Sequence, residues 1–211
     1  TNFRSEKEDI FSSGNKYLEN FQYDLAVNEY TKVIMLDPED PEPYVARGDA
    51  YSGLQEYQRA IEDYNNAIQI DTEFVRAYNN RGYSYAALGK YQRSIEDLDM
   101  AIRLNADYVE AYYNRSNVYQ NLQSYKQSIQ DLDMVIRLTP NFSQAYNNRG
   151  VSHNNLGEYH LAILDFNSAL QLAPDNPRVY YNRAHAHNNL GEIEQAIQDS
   201  QKACSLNKQY C

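Results

Sequence analysis

Five arginines each stand sixteen residues ahead of an aspartate: Arg47 and Asp63, Arg81 and Asp97, Arg115 and Asp131, Arg149 and Asp165, Arg183 and Asp199. A guanidinium and a carboxylate can form two parallel charge-assisted hydrogen bonds. These types at a fixed interval are therefore candidates for structural ion pairs or for a ligand-binding row. Other reactive side chains are sparse. His185 and His187 are two residues apart, as are Asp97 and Asp99 and Asp131 and Asp133, and on a helix that spacing sends the members to different faces. A metal needs ligands that converge, and the aspartate pairs lack the glycine and glutamate of a calcium loop. No nucleophile motif, phosphate-cradling glycine loop or Cys-x-x-Cys pair is present. The sequence therefore points away from an enzyme and requires no cofactor and no metal.

The elements that position these residues follow from self-similarity. Tyr44, Tyr78, Tyr112, Tyr146 and Tyr180 are 34 residues apart, as are the five arginines, the five aspartates and the column Leu54, Leu88, Leu122, Leu156 and Leu190. A weaker first unit with Ile10, Gly14, Tyr17, Tyr23 and Tyr30 falls in register, and there Ser13 replaces the arginine and Glu29 the aspartate. Joint loss of both partners supports pairing between the helices of a unit or between adjacent units. The reading is a lead-in at 1–6 followed by six units at 7–40, 41–74, 75–108, 109–142, 143–176 and 177–211.

In the second unit, Tyr44, Gly48, Tyr51 and Leu54 form one helical stripe, and Tyr57, Ala60, Ile61, Tyr64, Ala67 and Ile68 form another. Gln55 and Glu56 break the pattern between them, so each unit is two antiparallel helices. Pro41 and Pro177 suit the first turn of a helix, and Ser5 with Glu8 reads as a capping box opening the first helix. Gly48, Gly82, Ser116, Gly150 and Ala184 share smallness at one position and mark a close helix contact. Where other units carry Tyr30, Tyr64, Leu98, Leu132 and Phe166, the sixth has Ser200, as expected of a polar outer face.

The run Ala77-Tyr78, Gly82, Tyr85, Leu88-Gly89, Tyr91, Ser94, Ala101 and Ala106, recurring with variations, resembles the tetratricopeptide repeat family from about Lys7 to Tyr210. The units here are of an Asn-Arg-Gly type, with arginine where the family usually has leucine. The resemblance implies an all-α, right-handed superhelical solenoid of antiparallel helix pairs, whose first helices line a concave groove. Projecting outward from the packed stripes places Arg76, Asn79, Asn80, Tyr83, Tyr113, Asn114, Asn117, Asn147, Asn148, Arg178, Tyr181 and Asn182 on that groove.

Asparagine is a poor helix former, so the column Asn80, Asn114, Asn148 and Asn182 runs against propensity. An amide offers donors and an acceptor and can meet the N–H and C=O of an extended peptide. The column is similar to the asparagine ladder in the repeat domain of O-linked N-acetylglucosamine transferase. Bonding of these amides to a neighbouring helix is the alternative. The family's carboxylate clamp is disfavoured, because Val45, Asn79, Tyr113, Asn147 and Tyr181 stand where its first lysine is expected. Glu8, Glu19, Glu42 and Asp49 gather at the N-terminal mouth and would steer a basic segment there.

Composition agrees with a protein or peptide partner. The 211 residues carry 19 Lys and Arg against 29 Asp and Glu, a formal charge of −10, which disfavours nucleic acid. No apolar run exceeds four residues, against roughly 20 for a bilayer span, so no membrane insertion is expected. The two cysteines, Cys204 and Cys211, would close only a short loop. The expected function is a non-enzymatic scaffold binding an extended peptide or helix of another protein. A self-associating homo-oligomeric subunit and a regulatory fragment of a larger protein are the alternatives.

Overall fold

The computed structural model describes residues 2–211, with side chains from residue 6 onward. It is all-α among these residues and divides into two compact units, 1–111 and 112–211. The first contains α1 (Asn2–Glu19), α2 (Tyr23–Leu36), α3 (Pro41–Gly53), α4 (Tyr57–Ile70), α5 (Val75–Ala87) and α6 (Tyr91–Leu104). Helix α7 (Val109–Asn121) begins at its end, and most of α7 belongs to the second unit. That unit continues with α8 (Tyr125–Leu138), α9 (Ser143–Asn155), α10 (Tyr159–Leu172), α11 (Pro177–Asn189), α12 (Ile193–Leu206) and a 3-10 turn (Lys208–Tyr210). No helix among the described residues is long and apolar enough to cross a membrane.

The helix ends follow local chemistry. Asp40 caps α3 by accepting from the Glu42 N–H at 3.0 Å, and Asn176 caps α11 by accepting from the Arg178 N–H at 3.1 Å, with Pro41 and Pro177 in the first turns. The expected cap at Ser5 is corrected. Helix α1 already runs from Asn2, which puts the Ser5 backbone inside the helix. First helices end in a left-handed residue, with φ of 63° at Gln55, 71° at Gly89, 57° at Gln123, 78° at Gly157 and 77° at Gly191. In the second repeat Glu56 N–H reaches back to Tyr51 C=O and Gln55 N–H to Ser52 C=O, the paired bonds of a Schellman turn. This turn reverses the chain so that the second helix lies against the first.

In four of the pairs a glycine faces a large residue sixteen positions later. A methyl added at Gly14 or Gly48 would stand 2.6 Å from the ring of Tyr30 or Tyr64, and one at Gly150 2.7 Å from Phe166. At Gly82 it would stand 2.9 Å from Leu98. The large partners are buried, so the helices can approach only where the side chain opposite is missing.

The arginines bind on both sides. In all five pairs Nε and Nη2 donate to the two oxygens of the aspartate in the same repeat, at 2.6 to 2.9 Å. The third arm, Nη1, reaches the second helix of the preceding repeat, donating to Thr31 from Arg47 at 3.0 Å. Arg81 reaches Asn65, Arg149 reaches Asp133 and Arg183 reaches Asn167 in the same way, each at 2.6 Å. Each guanidinium also lies 5.4 to 5.9 Å from the ring of the tyrosine three residues before it. One side chain therefore locks its own pair and the joint to its neighbour, so both alternatives left open by the sequence hold at once. Hydrogen bonds donated to Asp63 and Asp165 hold the Arg47 and Arg149 guanidiniums above their ordinary range. Burial pushes the Asp63 and Asp97 carboxyls up, against the pull of their arginines.

Candidate functional site

With second helices locked by these latches, the polar side chains of the first helices form networks of their own. In residues 1–111 the network centres on Asp49 of α3. Its Oδ1 accepts from the Tyr64 hydroxyl at 2.8 Å and from Asn80 Nδ2 of α5 at 2.7 Å, and Asn80 Oδ1 in turn accepts from Asn79 at 2.8 Å. Arg76 points Nη1 at Glu42, 2.8 Å away, and Nη2 at Asp49 Oδ2, 3.9 Å away. Burial raises the Asp49 carboxyl above its ordinary range, only partly countered by Arg76. The same burial, with Asp49 nearby, pushes the Tyr30 hydroxyl up to about 12. Tyr83 is 48% exposed, its ring edge-on to Tyr57.

In residues 112–211 the corresponding network is neutral. Asn148 of α9 donates to Asn117 Oδ1 at 3.0 Å and to the Tyr113 hydroxyl at 3.2 Å, both on α7. Asn147 donates to Asn148 Oδ1, and Asn182 of α11 donates to Asn147 Oδ1 at 2.9 Å. Gln120 braces the joint by donating to Asn148 C=O and to the Ser152 hydroxyl. Tyr113 packs its ring 5.0 Å from Phe142, and Tyr181 lies between His185 at 4.6 Å and Tyr210 at 5.2 Å. Beside the last repeat, Cys204 and Cys211 are joined in a disulfide.

Of the residues projected onto the groove, Asn80 is joined to the preceding first helix within residues 1–111, while Tyr113, Asn117, Asn148 and Asn182 are brought together across first helices within residues 112–211, with Asn114 also engaged. Two projections need correcting. Asn79 and Asn147 are buried, at 5% and 6% exposure, because their column lies where one first helix meets the next. The asparagine column is also not a row of idle amides, since three of its members bond the preceding first helix, the alternative raised from the sequence. Arg76 is engaged with Glu42 and Asp49, whereas Arg178 is exposed. Asp49 as an acceptor within the ladder, and Gln120 as its brace, escaped the sequence reading. Their columns vary in residue type from unit to unit, and the only signal was the 31-residue offset of Asp49 from Asn80; Gln120, 28 and 32 residues from its acceptors, had none.

Comparison with known proteins places this architecture. Models of the TPR repeat and tetratricopeptide repeat match residues 14–55, 53–89, 82–123, 109–142, 143–176 and 177–210. The chain belongs to the tetratricopeptide repeat family. Among solved structures it is similar to PilF of Pseudomonas aeruginosa, with a TM-score of 0.86 at 17% identity, covering 99% of this chain and 95% of that one. It is also similar to YrrB, described as a TPR protein with an unusual peptide-binding site, with a TM-score of 0.71 at 23% identity and 85% and 92% coverage. MamA gives a TM-score of 0.69 at 27% identity with 80% and 92% coverage. No curated protein sequence matches the chain. The fold is thus that of an interaction scaffold.

Proposed function

We propose that the chain is a non-enzymatic binding module whose first-helix faces take an extended peptide segment of a partner protein. The observation that carries this reading is the half-used amide network. Asn117 Oδ1 and Asn182 Nδ2 are tied to neighbouring amides, while Asn117 Nδ2 and Asn182 Oδ1 make no hydrogen bond with the described residues. The Tyr113 hydroxyl accepts from Asn148 and keeps its own proton to donate. These groups are held in place before a ligand arrives, which lowers the entropy cost of ordering them, and they match the alternating N–H and C=O of an extended backbone. YrrB, similar in fold, is described as peptide-binding.

The test begins with selection of ligands from a random peptide library on the intact chain. Affinity of the selected peptides should fall about tenfold in Asn117→Ala and in Asn182→Ala. Unchanged affinity in both variants would refute the reading. Self-association is the second reading, favoured by Leu161 and Leu164 of α10, which are 47% and 61% exposed. A molar mass that rises with concentration in light scattering would establish it.

A further inference from the structure

The formal charge of −10 is not evenly distributed. Residues 1–111 carry 11 Lys and Arg against 21 Asp and Glu, a balance of −10, whereas residues 112–211 carry 8 against 8, a balance of zero. A partner is therefore attracted electrostatically to the first unit if its docking segment is cationic, and long-range charge of one sign acts on that encounter.

Within the acidic unit one carboxylate is incompletely satisfied. Asp63 and Asp97 each receive two arginine hydrogen bonds, and Asp37 and Asp40 hold Lys7. Asp49 receives both of its hydrogen bonds on Oδ1. Its Oδ2 has Arg76 Nη2 at 3.9 Å, beyond hydrogen-bonding range, and the side chain is 28% exposed, so that oxygen is open to an incoming donor. Arg76 is also poorly accommodated: Nη1 is bound to Glu42, and Nε is buried with no acceptor. A buried donor without a partner is costly. An open carboxylate oxygen and a frustrated guanidinium in one ion pair describe a cation seat whose present occupant does not fit it.

We propose that Asp49 is the seat for the guanidinium of an arginine in the partner segment, and that Arg76 is a resident placeholder that swings out when the partner binds. The proposal rests on the reading of the first helices as a peptide-binding face and adds the partner's chemistry. Arg76 is 39% exposed and held by one short ion pair to Glu42, with its guanidinium 6.0 Å from the Phe74 ring, so its departure gives up only those two contacts and the long pair to Asp49. The incoming guanidinium presents a planar fork of donors that can meet Oδ2 with the geometry Arg76 lacks. Tyr64 and Asn80 keep the carboxylate oriented throughout, since both bind the other oxygen.

The test uses the full chain and a fluorescein-labelled peptide, Gly-Ser-Gly-Arg-Gly-Ser-Gly, with lysine and citrulline versions, followed by anisotropy at low salt. The arginine peptide should bind at least about tenfold more tightly than the citrulline peptide, and the lysine peptide should fall between them. Asp49→Asn should weaken the arginine peptide by about tenfold or more. Asn fits this position without loss of fold, because Asn15, one repeat earlier, accepts from the Tyr30 hydroxyl at 2.8 Å just as Asp49 accepts from Tyr64. Arg76→Gln should tighten binding several-fold beyond Arg93→Gln, which removes the same charge from the same unit. Equal effects of Arg76→Gln and Arg93→Gln, an unaffected Asp49→Asn variant, or equal binding of the citrulline peptide would each overturn the proposal. Asn117→Ala and Asn182→Ala lie in the other unit, so their failure would remove the backbone-binding reading without altering these measurements.

Discussion

Asp49 in residues 1–111 and Asn117 in residues 112–211 occupy equivalent positions in their repeats. Each accepts from an asparagine 31 residues later, at 2.7 Å from Asn80 and 3.0 Å from Asn148. The donor, the spacing and the helices are the same, yet one acceptor is a carboxylate beside an arginine and the other a neutral amide beside a tyrosine hydroxyl. The latches of the two units do not differ in this way, since each arginine is held by the aspartate of its own repeat. Side chains that define the scaffold are thus repeated, while those of the first-helix networks are varied at fixed geometry. An array can change what it binds without changing how it stacks.

The largest expected effect comes from breaking a latch, and it should be unequal between units. Asp63→Ala leaves Arg47 with only the Thr31 hydroxyl, whereas Asp165→Ala leaves Arg149 still paired with Asp133 at 2.6 Å. Removing one partner of a largely buried pair costs about 3 to 5 kcal/mol, so Asp63→Ala should lie in that range. Asp165→Ala should cost roughly 1 kcal/mol less, since Asp133 is 55% exposed and contributes as a surface pair does. Hydrogen exchange of α4 and α10 measures each unit separately, which a global melt of a repeat protein does not. Equal losses would show that the Asp133 carboxylate contributes no more to the third arm than the Thr31 hydroxyl does.

Next in size is the small-residue contact. Gly48→Ala and Gly150→Ala place a methyl 2.6 Å from Tyr64 and 2.7 Å from Phe166. Overpacking of this kind costs about 1 to 3 kcal/mol. The first unit should suffer more, because Tyr64 cannot swing aside without losing its hydrogen bond to Asp49, while Phe166 has no such tether. Urea unfolding of Gly48→Ala against Gly48→Ala with Tyr64→Phe tests the reason. The double variant should recover part of the loss.

What could be read in the sequence divides along the same line. The arginine and aspartate columns recur without variation in five repeats, so their pairing was visible as joint presence and joint loss. The third arginine contact was not, because its acceptors are Thr31, Asn65, Asp133 and Asn167, four side chains of three types in one column. Asn79 and Asn147 were projected onto the open face because a helical wheel cannot tell a solvent-facing position from one covered by the next repeat. The Asp49 network was hidden for a related reason. Asn15, Asp49, Tyr83, Asn117, Val151 and His185 share a position of mixed chemistry, and only the structure shows that an asparagine of the following first helix donates to Asp49 and to Asn117.

A smaller effect follows from the titration of Asp49. Its folded-state carboxyl lies above the ordinary range because of burial, so the native state binds the proton more tightly than the unfolded chain. The associated stability is present at acid pH and is lost as the pH rises through the folded value. Asp49→Asn removes that loss. The variant should therefore match wild type at acid pH and exceed it at neutral pH, with the difference confined to residues 1–111. Hydrogen exchange of α3 and α5 at two pH values checks this, and a difference of the opposite sign would show that Arg76 outweighs burial. The matching substitution Asn117→Asp should make residues 112–211 less stable as the pH rises, since no arginine in that network stands ready to pair with it.

The smallest change is expected to act alike in both units. Gln55 and Gln123 hold φ at 63° and 57°, where Gly89, Gly157 and Gly191 stand in other repeats. A side chain in the left-handed region is strained by about 1 to 2 kcal/mol, part of which glycine returns in greater freedom of the unfolded chain. Gln55→Gly and Gln123→Gly should therefore each stabilise by about 0.5 to 1 kcal/mol. Because this position belongs to the turn and not to the first-helix networks, the two gains should agree, whatever the charge of the unit around them. A gain in residues 112–211 without one in residues 1–111 would mean that the surroundings of Gln55 already relieve its turn, and the separation of turn positions from the first-helix networks would not hold there.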